Sequence, residues 1–480
     1  MSPYISKRLF LAFISIVVAV LFYLVNPFHV PENANTVISI AILMVALWVT
    51  EAMPMPVVAL LPLVLFPLLN IATIDATATA YSNKVIFLFM GGFMLGLAIE
   101  KWNLHRRIAL NVVKLTGTSG NRIILGFIIA TGLISMWLSN TATTMMMFPI
   151  AMSVIQVIKE NHPHQEGVSN FSTSIMIAIA LSSNFGGIST IIGTPPNVAY
   201  VAYITEKHHY EVDFASWMLL CTPLAIVLLG LLYLVMVKWL YPNKMKSDEA
   251  TKKMIHQEVR KLGRISVAEK RVLVVFILTA VLWITKDLIN QLNLVKLDDN
   301  MIALIGATAL FIVPSGKQKN EALLDWKDTS KMAWGILLLF GGGIALATAL
   351  ENAGLIQQLG QWFTQFAINQ LMLIFLVTLI ALFLSELMSN VAQVIVFAPV
   401  VTGLAEAMHM HPFMLGIPMT LAASCASMLP MGTPPNAIAF SSGYIKLHQM
   451  TKVGFVMNII SVLLITLLCW FFLPLVFNVG

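Results

Sequence analysis

Charge is what this sequence lacks most. Asp, Glu, Lys and Arg make up 10% of its 480 residues, where a soluble domain carries about 25%. So few charges cannot cover a water-facing surface, which excludes a soluble enzyme, a disordered chain and a secreted mini-scaffold. Cysteine is also scarce. Cys221, Cys425 and Cys469 lie apart in apolar stretches with no CxxC spacing, so neither a disulfide framework nor a zinc site follows. HExxH, a nucleophile elbow and an acidic metal cluster are all missing, which argues against an intramembrane enzyme. What is present is apolar: 58% hydrophobic residues and a mean hydropathy of +0.86. The net charge of +6 is concentrated, with fourteen of the fifty charged residues between Lys238 and Arg271. A mixed-sign linker is ordinary in a membrane protein, so no nucleic-acid partner is inferred. The chain reads as an all-α polytopic membrane protein.

A helix needs about 20 apolar residues to cross the hydrocarbon core. Leu9–Val25 follows Lys7 and Arg8 but is succeeded by Asn26-Pro27 instead of a small-residue cleavage site, so it reads as a retained first helix. Further apolar runs fall near 36–52, 55–70, 84–103, 216–238, 271–290, 300–314, 331–351 and 451–478. Four longer tracts, near 121–158, 171–204, 369–408 and 411–445, are interrupted by small and polar residues. Reading the first and third as re-entrant hairpins and the others as broken spans gives eleven crossings and two hairpins. With a cytoplasmic N-terminus, 24 of the 28 basic residues then fall inside, and only Lys84, Lys207, Lys286 and Lys296 outside. This puts the chain in a cell inner (cytoplasmic) membrane with its C-terminus outside. Asn103–Thr116 is basic and amphipathic and is expected flat on the cytoplasmic face. Gly354–Gln370, without charge, is its outer counterpart, and 241–270 is a solvated helical linker.

The two halves repeat each other. Phe89-Met-Gly-Gly followed by Glu100 matches Phe340-Gly-Gly-Gly followed by Glu351 at a spacing of 251. Trp137-Leu-Ser-Asn-Thr-Ala matches Leu387-Met-Ser-Asn-Val-Ala at 250, and Gly193-Thr-Pro-Pro-Asn recurs at Gly432. Ser135 and Ser385 each stand four residues before an SN motif. The first repeat begins outside and the second inside, and inverted repeats with breaks in corresponding places point to a secondary transporter. The alternative for GTPPN is a pair of proline kinks with no further role. Against it, prolines free backbone carbonyls where unsatisfied groups cost several kcal/mol, and such breaks persist where a ligand uses them. A cation can take carbonyls and side-chain oxygens, and an anion can take helix N-termini.

Ser139-Asn140-Thr141, Ser389-Asn390, both GTPPN motifs and Thr50-Glu-Ala-Met-Pro-Met-Pro together resemble the divalent anion:sodium symporter family over essentially the whole chain. The resemblance implies a homodimeric elevator transporter that carries di- or tricarboxylates (succinate, fumarate, malate or citrate) with sodium ions and uses no organic cofactor. It implies that substrate is held by Ser139, Asn140 and Thr141 at one hairpin tip and by Ser389, Asn390 and Val391 at the other. Thr194, Pro195, Thr433 and Pro434 of the broken helices complete that set. Sodium is implied at Ser135, Ser139, Asn140 and Gly193, and again at Ser385, Asn390 and Gly432. Residues 119–215 and 369–450 would form the transport domain. Residues 1–118 and 216–368 would form the scaffold, and 451–480 a final helix. Val391 departs from the threonine of many dicarboxylate carriers, which removes a hydroxyl donor.

The residues themselves speak to coupling. Neither tip and neither GTPPN segment contains Lys or Arg. A bound dianion must rely on Asn140, Asn390, Thr141, serine hydroxyls and half-helix N–H groups, each worth about 1.5–3 kcal/mol to a charged partner. Those few bonds fall short for a dianion at the midplane, so co-bound cations are expected. A sodium-independent carboxylate exchanger could use the same anion site, and a channel is the third transport reading. Among intramembrane acids, Glu100 and Glu351 read as structural. Glu386, opposite Met136 in the other repeat, is left between a structural role and one at the second cation or a proton site. Met145–Met147 reads as hairpin packing. The histidines His208, His209, His409 and His411 read as interfacial.

Overall fold

The computed structural model describes residues 3–161, 167–243, 245, 249–292, 295–317, 321–355 and 369–479. Among them the secondary structure is helical, with one isolated bridge between Pro314 and Ala322. Nine described helices are long and apolar enough to cross a membrane. Most of the expected outer segment Gly354–Gln370 lies outside the described residues.

The chain opens with α1 (Pro3–Val25) and α2 (Glu32–Thr50). The 55–70 run, dense in proline, is divided into the short helices Met55–Val58 and Leu61–Leu68. The first repeat follows as α3 (Lys84–Lys101), α4 (Leu104–Thr116), α5 (Gly120–Ser135), α6 (Asn140–Asn161), α7 (Val168–Gly187), α8 (Pro195–His208) and α9 (Phe214–Leu234). A connecting region contributes α10 (Glu249–Lys261), α11 (Val267–Gln291) and α12 (Asp299–Ile312). The second repeat is α13 (Trp334–Asn352), α14 (Gln370–Ser385), α15 (Asn390–Ala407), α16 (Phe413–Ser424), α17 (Pro434–Ser441) and α18 (Leu447–Phe471).

The packing repeats as the sequence does. In the first repeat α5 packs on α7, α6 on α7, and α7 on α9; in the second α14 packs on α16, α15 on α16, and α16 on α18. The half-helices cross over reciprocally, α8 against α15 and α17 against α6. Phe89 and its counterpart Phe340 touch edge to face, with ring centroids 5.4 Å apart. Two residues related by a repeat can touch each other only near its pseudo-two-fold axis. Two glycines set the helix spacing there. A Cβ at Gly91 would lie 2.7 Å from the Ala303 backbone, and one at its counterpart Gly342 would lie 2.3 Å from the Ala59 carbonyl oxygen. Small residues permit such close backbone approach between helices.

The two ends of α3 separate two groups of polar ties. At its Lys84 end, Lys84 pairs with Glu211 (3.6 Å), Asn83 donates to Glu206 (2.9 Å), and Lys207 pairs with Glu351 (3.4 Å). Lys286 bonds Asp213 and lies 3.3 Å from Asp299. At its other end, Lys101 meets Asp328 at 2.7 Å. Burial pushes the Asp328 carboxyl up, but the Lys101 ammonium and the Asp325 N–H outweigh it and hold the group below its ordinary value. Arg106 pairs with Glu258 (3.1 Å) and Arg107 with Glu269 (2.7 Å). Glu269 also closes a capping box with Ser266 at the start of α11.

The apolar stripe of α4 (Leu104, Ala109, Leu110 and Val113) is buried, and the helix packs on α5. One expectation changes here. The 241–270 linker is not simply solvated. Its helix α10 buries Thr251 and Ile255 and docks on α4 and α6, because amphipathic helices find lower free energy on each other than in water.

Candidate functional site

Each SN motif sits where one helix ends and the next begins. α5 ends at Ser135 and α6 starts at Asn140; α14 ends at Ser385 and α15 starts at Asn390. Ser139 lies just before α6, and its hydroxyl accepts from the Ala142 N–H at 3.2 Å. Pro149 and Pro399, 250 residues apart, interrupt the ladder at matching points of the second helices.

Ser135 Oγ lies 2.8 Å from Asn140 Oδ1 and 2.8 Å from the Ser183 carbonyl oxygen. In the other repeat Ser385 Oγ lies 2.8 Å from Asn390 Oδ1 and 2.7 Å from the Ala423 carbonyl oxygen. A hydroxyl has one proton, so it can donate to only one of its two neighbours. Each repeat therefore gathers three oxygens around a single donated hydrogen.

The GTPPN segments start the half-helices. Thr194 and Thr433 precede α8 and α17 in extended conformation, and both proline pairs occupy the first turn, where a missing N–H costs nothing. The carbonyls of the unwound stretch before them are partly answered by the chain itself. Asn197 Nδ2 donates to the Thr190 carbonyl at 2.9 Å, and Asn436 Nδ2 to the Leu429 carbonyl at 3.1 Å. Trp217 Nε1 adds a bond to the Ile188 carbonyl at 3.0 Å. The breaks are thus built and stabilised positions.

Of the residues singled out from the sequence, Ser135, Ser385, Gly193, Gly432, Thr194 and Thr433 are buried. Ser139, Asn140, Thr141, Ser389, Asn390, Val391 and Pro195 are half-buried, and Pro434 is exposed. Buried hydroxyls thus stand behind partly open amides, an arrangement suited to a ligand arriving from one side. The first tip meets the second repeat's break through Asn184. Asn140 Nδ2 lies 3.4 Å from Asn184 Oδ1, and Asn184 Nδ2 lies 3.2 Å from Thr433 Oγ1 and 3.4 Å from Asn436 Oδ1. Asn140 also lies against Gly187, where a Cβ would approach its Oδ1 to 2.3 Å. For the second tip, the corresponding relation is the packing of α15 on α8.

Asn184 was missed by sequence reasoning. Its signal was a polar Ser182-Ser183-Asn184 triplet inside an apolar span, without a counterpart in the second repeat. Among the described residues no group of three His, Cys, Asp or Glu side chains could hold a metal ion. The three cysteines are fully buried and unpaired.

A duplicated helical fold with two matching oxygen clusters at broken helices defines a membrane transporter rather than an enzyme. A family profile described as the sodium:sulfate symporter transmembrane region matches residues 6–478. The chain belongs to that family, which bears out the resemblance to divalent anion:sodium symporters. It is 36% identical over 463 residues to the sodium-dependent dicarboxylate transporter SdcS of Staphylococcus saprophyticus, covering 95% of this chain and 89% of that one. The SdcS of Staphylococcus aureus strain USA300 matches at 36% over 461 residues, with the same coverages. Two solved structures share the fold. The YdaH transporter of Alcanivorax borkumensis gives a TM-score of 0.57 at 14% identity, over 82% of this chain and 85% of that one. MtrF of Neisseria gonorrhoeae gives 0.55 at 11%, over 83% of each.

Proposed function

We propose that this protein is a symporter that moves a di- or tricarboxylate such as succinate, fumarate, malate or citrate across the cell inner membrane together with sodium ions. The observation that carries the reading is the repeated oxygen triangle, Ser135–Asn140–Ser183 and Ser385–Asn390–Ala423. Three oxygens sharing one donated hydrogen favour a hard cation. Gly193 and Gly432 of the adjoining breaks complete the two cation sites. The carboxylates are held by Ser139, Asn140 and Thr141 and by Ser389 and Asn390, with Val391 as an apolar wall. Thr194, Pro195, Thr433 and Pro434 open the half-helices whose N-termini face the anion. With no basic side chain in these segments, the cations supply the positive charge that the dianion needs, which couples the two cargoes.

Transport proceeds by an elevator motion of the interlocked helices α5–α8 and α14–α17 against a scaffold, in a homodimer. The first and third interrupted tracts are re-entrant hairpins, the N-terminus is cytoplasmic and the C-terminus lies outside. The ion pairs support this topology, since each joins residues that the charge count assigns to one side. Its test is uptake of labelled succinate or citrate into proteoliposomes with and without an inward sodium gradient. Accumulation only with the gradient is expected; equal exchange without sodium would overturn the symport.

A further inference from the structure

The repeats match in their oxygen triangles and differ in one buried charge. Glu386 follows Ser385 directly and is 3% exposed. Its Oε1 accepts from the Ser427 N–H at 2.7 Å, the Met428 N–H at 2.8 Å and Asn458 Nδ2 at 2.7 Å, and Oε2 accepts from the Leu429 N–H at 3.0 Å. All four donors are neutral amides. They suit the ionised carboxylate, and none cancels its charge. The carboxylate also lies against Gly432, where an added Cβ would come within 3.2 Å of Oε2. In the first repeat the same place is held by Met136, and only its backbone carbonyl takes part. That carbonyl accepts from Thr190 Oγ1 at 2.6 Å and lies 3.0 Å from a Cβ built on Gly193.

We infer that Glu386 is a positioning residue that shapes the second break through its three backbone N–H groups and makes the two cation sites electrostatically unequal. The site at Ser385, Asn390 and Gly432 holds its sodium beside a fixed negative charge, whereas the site at Ser135, Asn140 and Gly193 relies on neutral oxygens. The second-repeat ion is therefore the tighter bound, and it fills first. The inference rests on the sodium-coupled reading above.

The test measures sodium dependence of uptake in proteoliposomes, and sodium-dependent thermal stabilisation of the purified protein, for wild type, Glu386→Gln and Glu386→Asp. In Glu386→Gln the half-saturating sodium concentration should rise about ten-fold, the weight of one strong charge interaction, while the rate at saturating sodium falls far less. Its stabilisation by sodium should move to correspondingly higher concentration. Glu386→Asp, which keeps the charge, should recover part of the affinity. A purely structural role would lower yield and melting temperature and leave the half-saturating sodium unchanged, and that result overturns the inference. Wild-type uptake indifferent to sodium would instead defeat the symport reading itself. If Glu386→Gln does not fold, Asn458→Leu keeps the carboxylate and removes one of its donors. It should raise the half-saturating sodium about two- to three-fold, and no change would count equally against the proposal.

Discussion

Asn184 of the first repeat donates its amide to Thr433 Oγ1 of the second across 3.2 Å, although 249 residues separate them. The same side chain faces Asn140 through its oxygen at 3.4 Å. One buried amide thereby joins the first SN motif to the other repeat's half-helix. Removing it leaves polar groups of both repeats without their partner, at about 1–3 kcal/mol. Asn184→Leu is therefore expected to lower uptake at least as much as it lowers melting temperature, and to raise the KM for substrate. An Asn184→Leu protein with wild-type kinetics would remove Asn184 from the mechanism.

Asn140→Ala and Asn390→Ala are each expected to reduce uptake by about ten-fold or more, through loss of a charge-assisted bond to the cargo. Both proteins should remain monodisperse on size exclusion, because the two amides are half-buried and stand at helix starts rather than in the core. Near wild-type uptake by both would refute the site assignment.

Gly91 and Gly342 make equivalent close contacts, so equivalent substitutions should do equal harm. A Cβ at either position runs into backbone, at Ala303 or Ala59, which cannot swing away as a side chain can. Gly91→Ala and Gly342→Ala should each destabilise by roughly 1–3 kcal/mol, the usual cost of overpacking. Thermal melting in detergent checks this, and a clear loss in only one of the two would break the proposed equivalence.

The orientation can be read by labelling. In a background with Cys221, Cys425 and Cys469 replaced, Ala250→Cys should resist an impermeant maleimide applied to intact cells, and Asn478→Cys should react. The reverse pattern would invert the topology and with it the assignment of the 24 basic residues.

Val391 lies half-buried at the start of α15, one residue beyond Asn390. Val391→Thr adds a hydroxyl with little change in volume. If it meets the cargo, compact dicarboxylates should gain about ten-fold over citrate, one hydrogen bond to a charged partner. Competition of succinate and citrate for uptake measures the ratio. An unchanged ratio with lower stability would place the side chain in helix packing instead, with its hydroxyl buried and unpaired.

Much of the architecture was legible beforehand. The 250-residue spacing located both SN motifs, and the recurring pentapeptide 239 residues apart located both GTPPN breaks with their prolines, because a duplicated fold repeats its local chemistry. The structure refined the roles. In the unwound stretch before each GTPPN half-helix, Asn197 and Asn436 turn back to serve the Thr190 and Leu429 carbonyls. Asn184 and the Glu386 cap stayed hidden, since neither has a counterpart in the other repeat to mark it. Glu386 stood out as an isolated acid, but its partners Ser427 and Asn458 lie 41 and 72 residues away.

By itself, then, the sequence determined what depends on composition, local period and repetition: a helical membrane chain, duplicated, broken at four matching places, with uncharged polar residues at the breaks. Tertiary structure alone decided which of those residues meet. The half-helices cross over, α8 to α15 and α17 to α6, and that exchange brings Asn184 to Thr433. Hydrogen bonds form between neighbours in space. A linear pattern reports neighbours along one helix, and the partners across a pseudo-two-fold axis emerge only once the helices have packed.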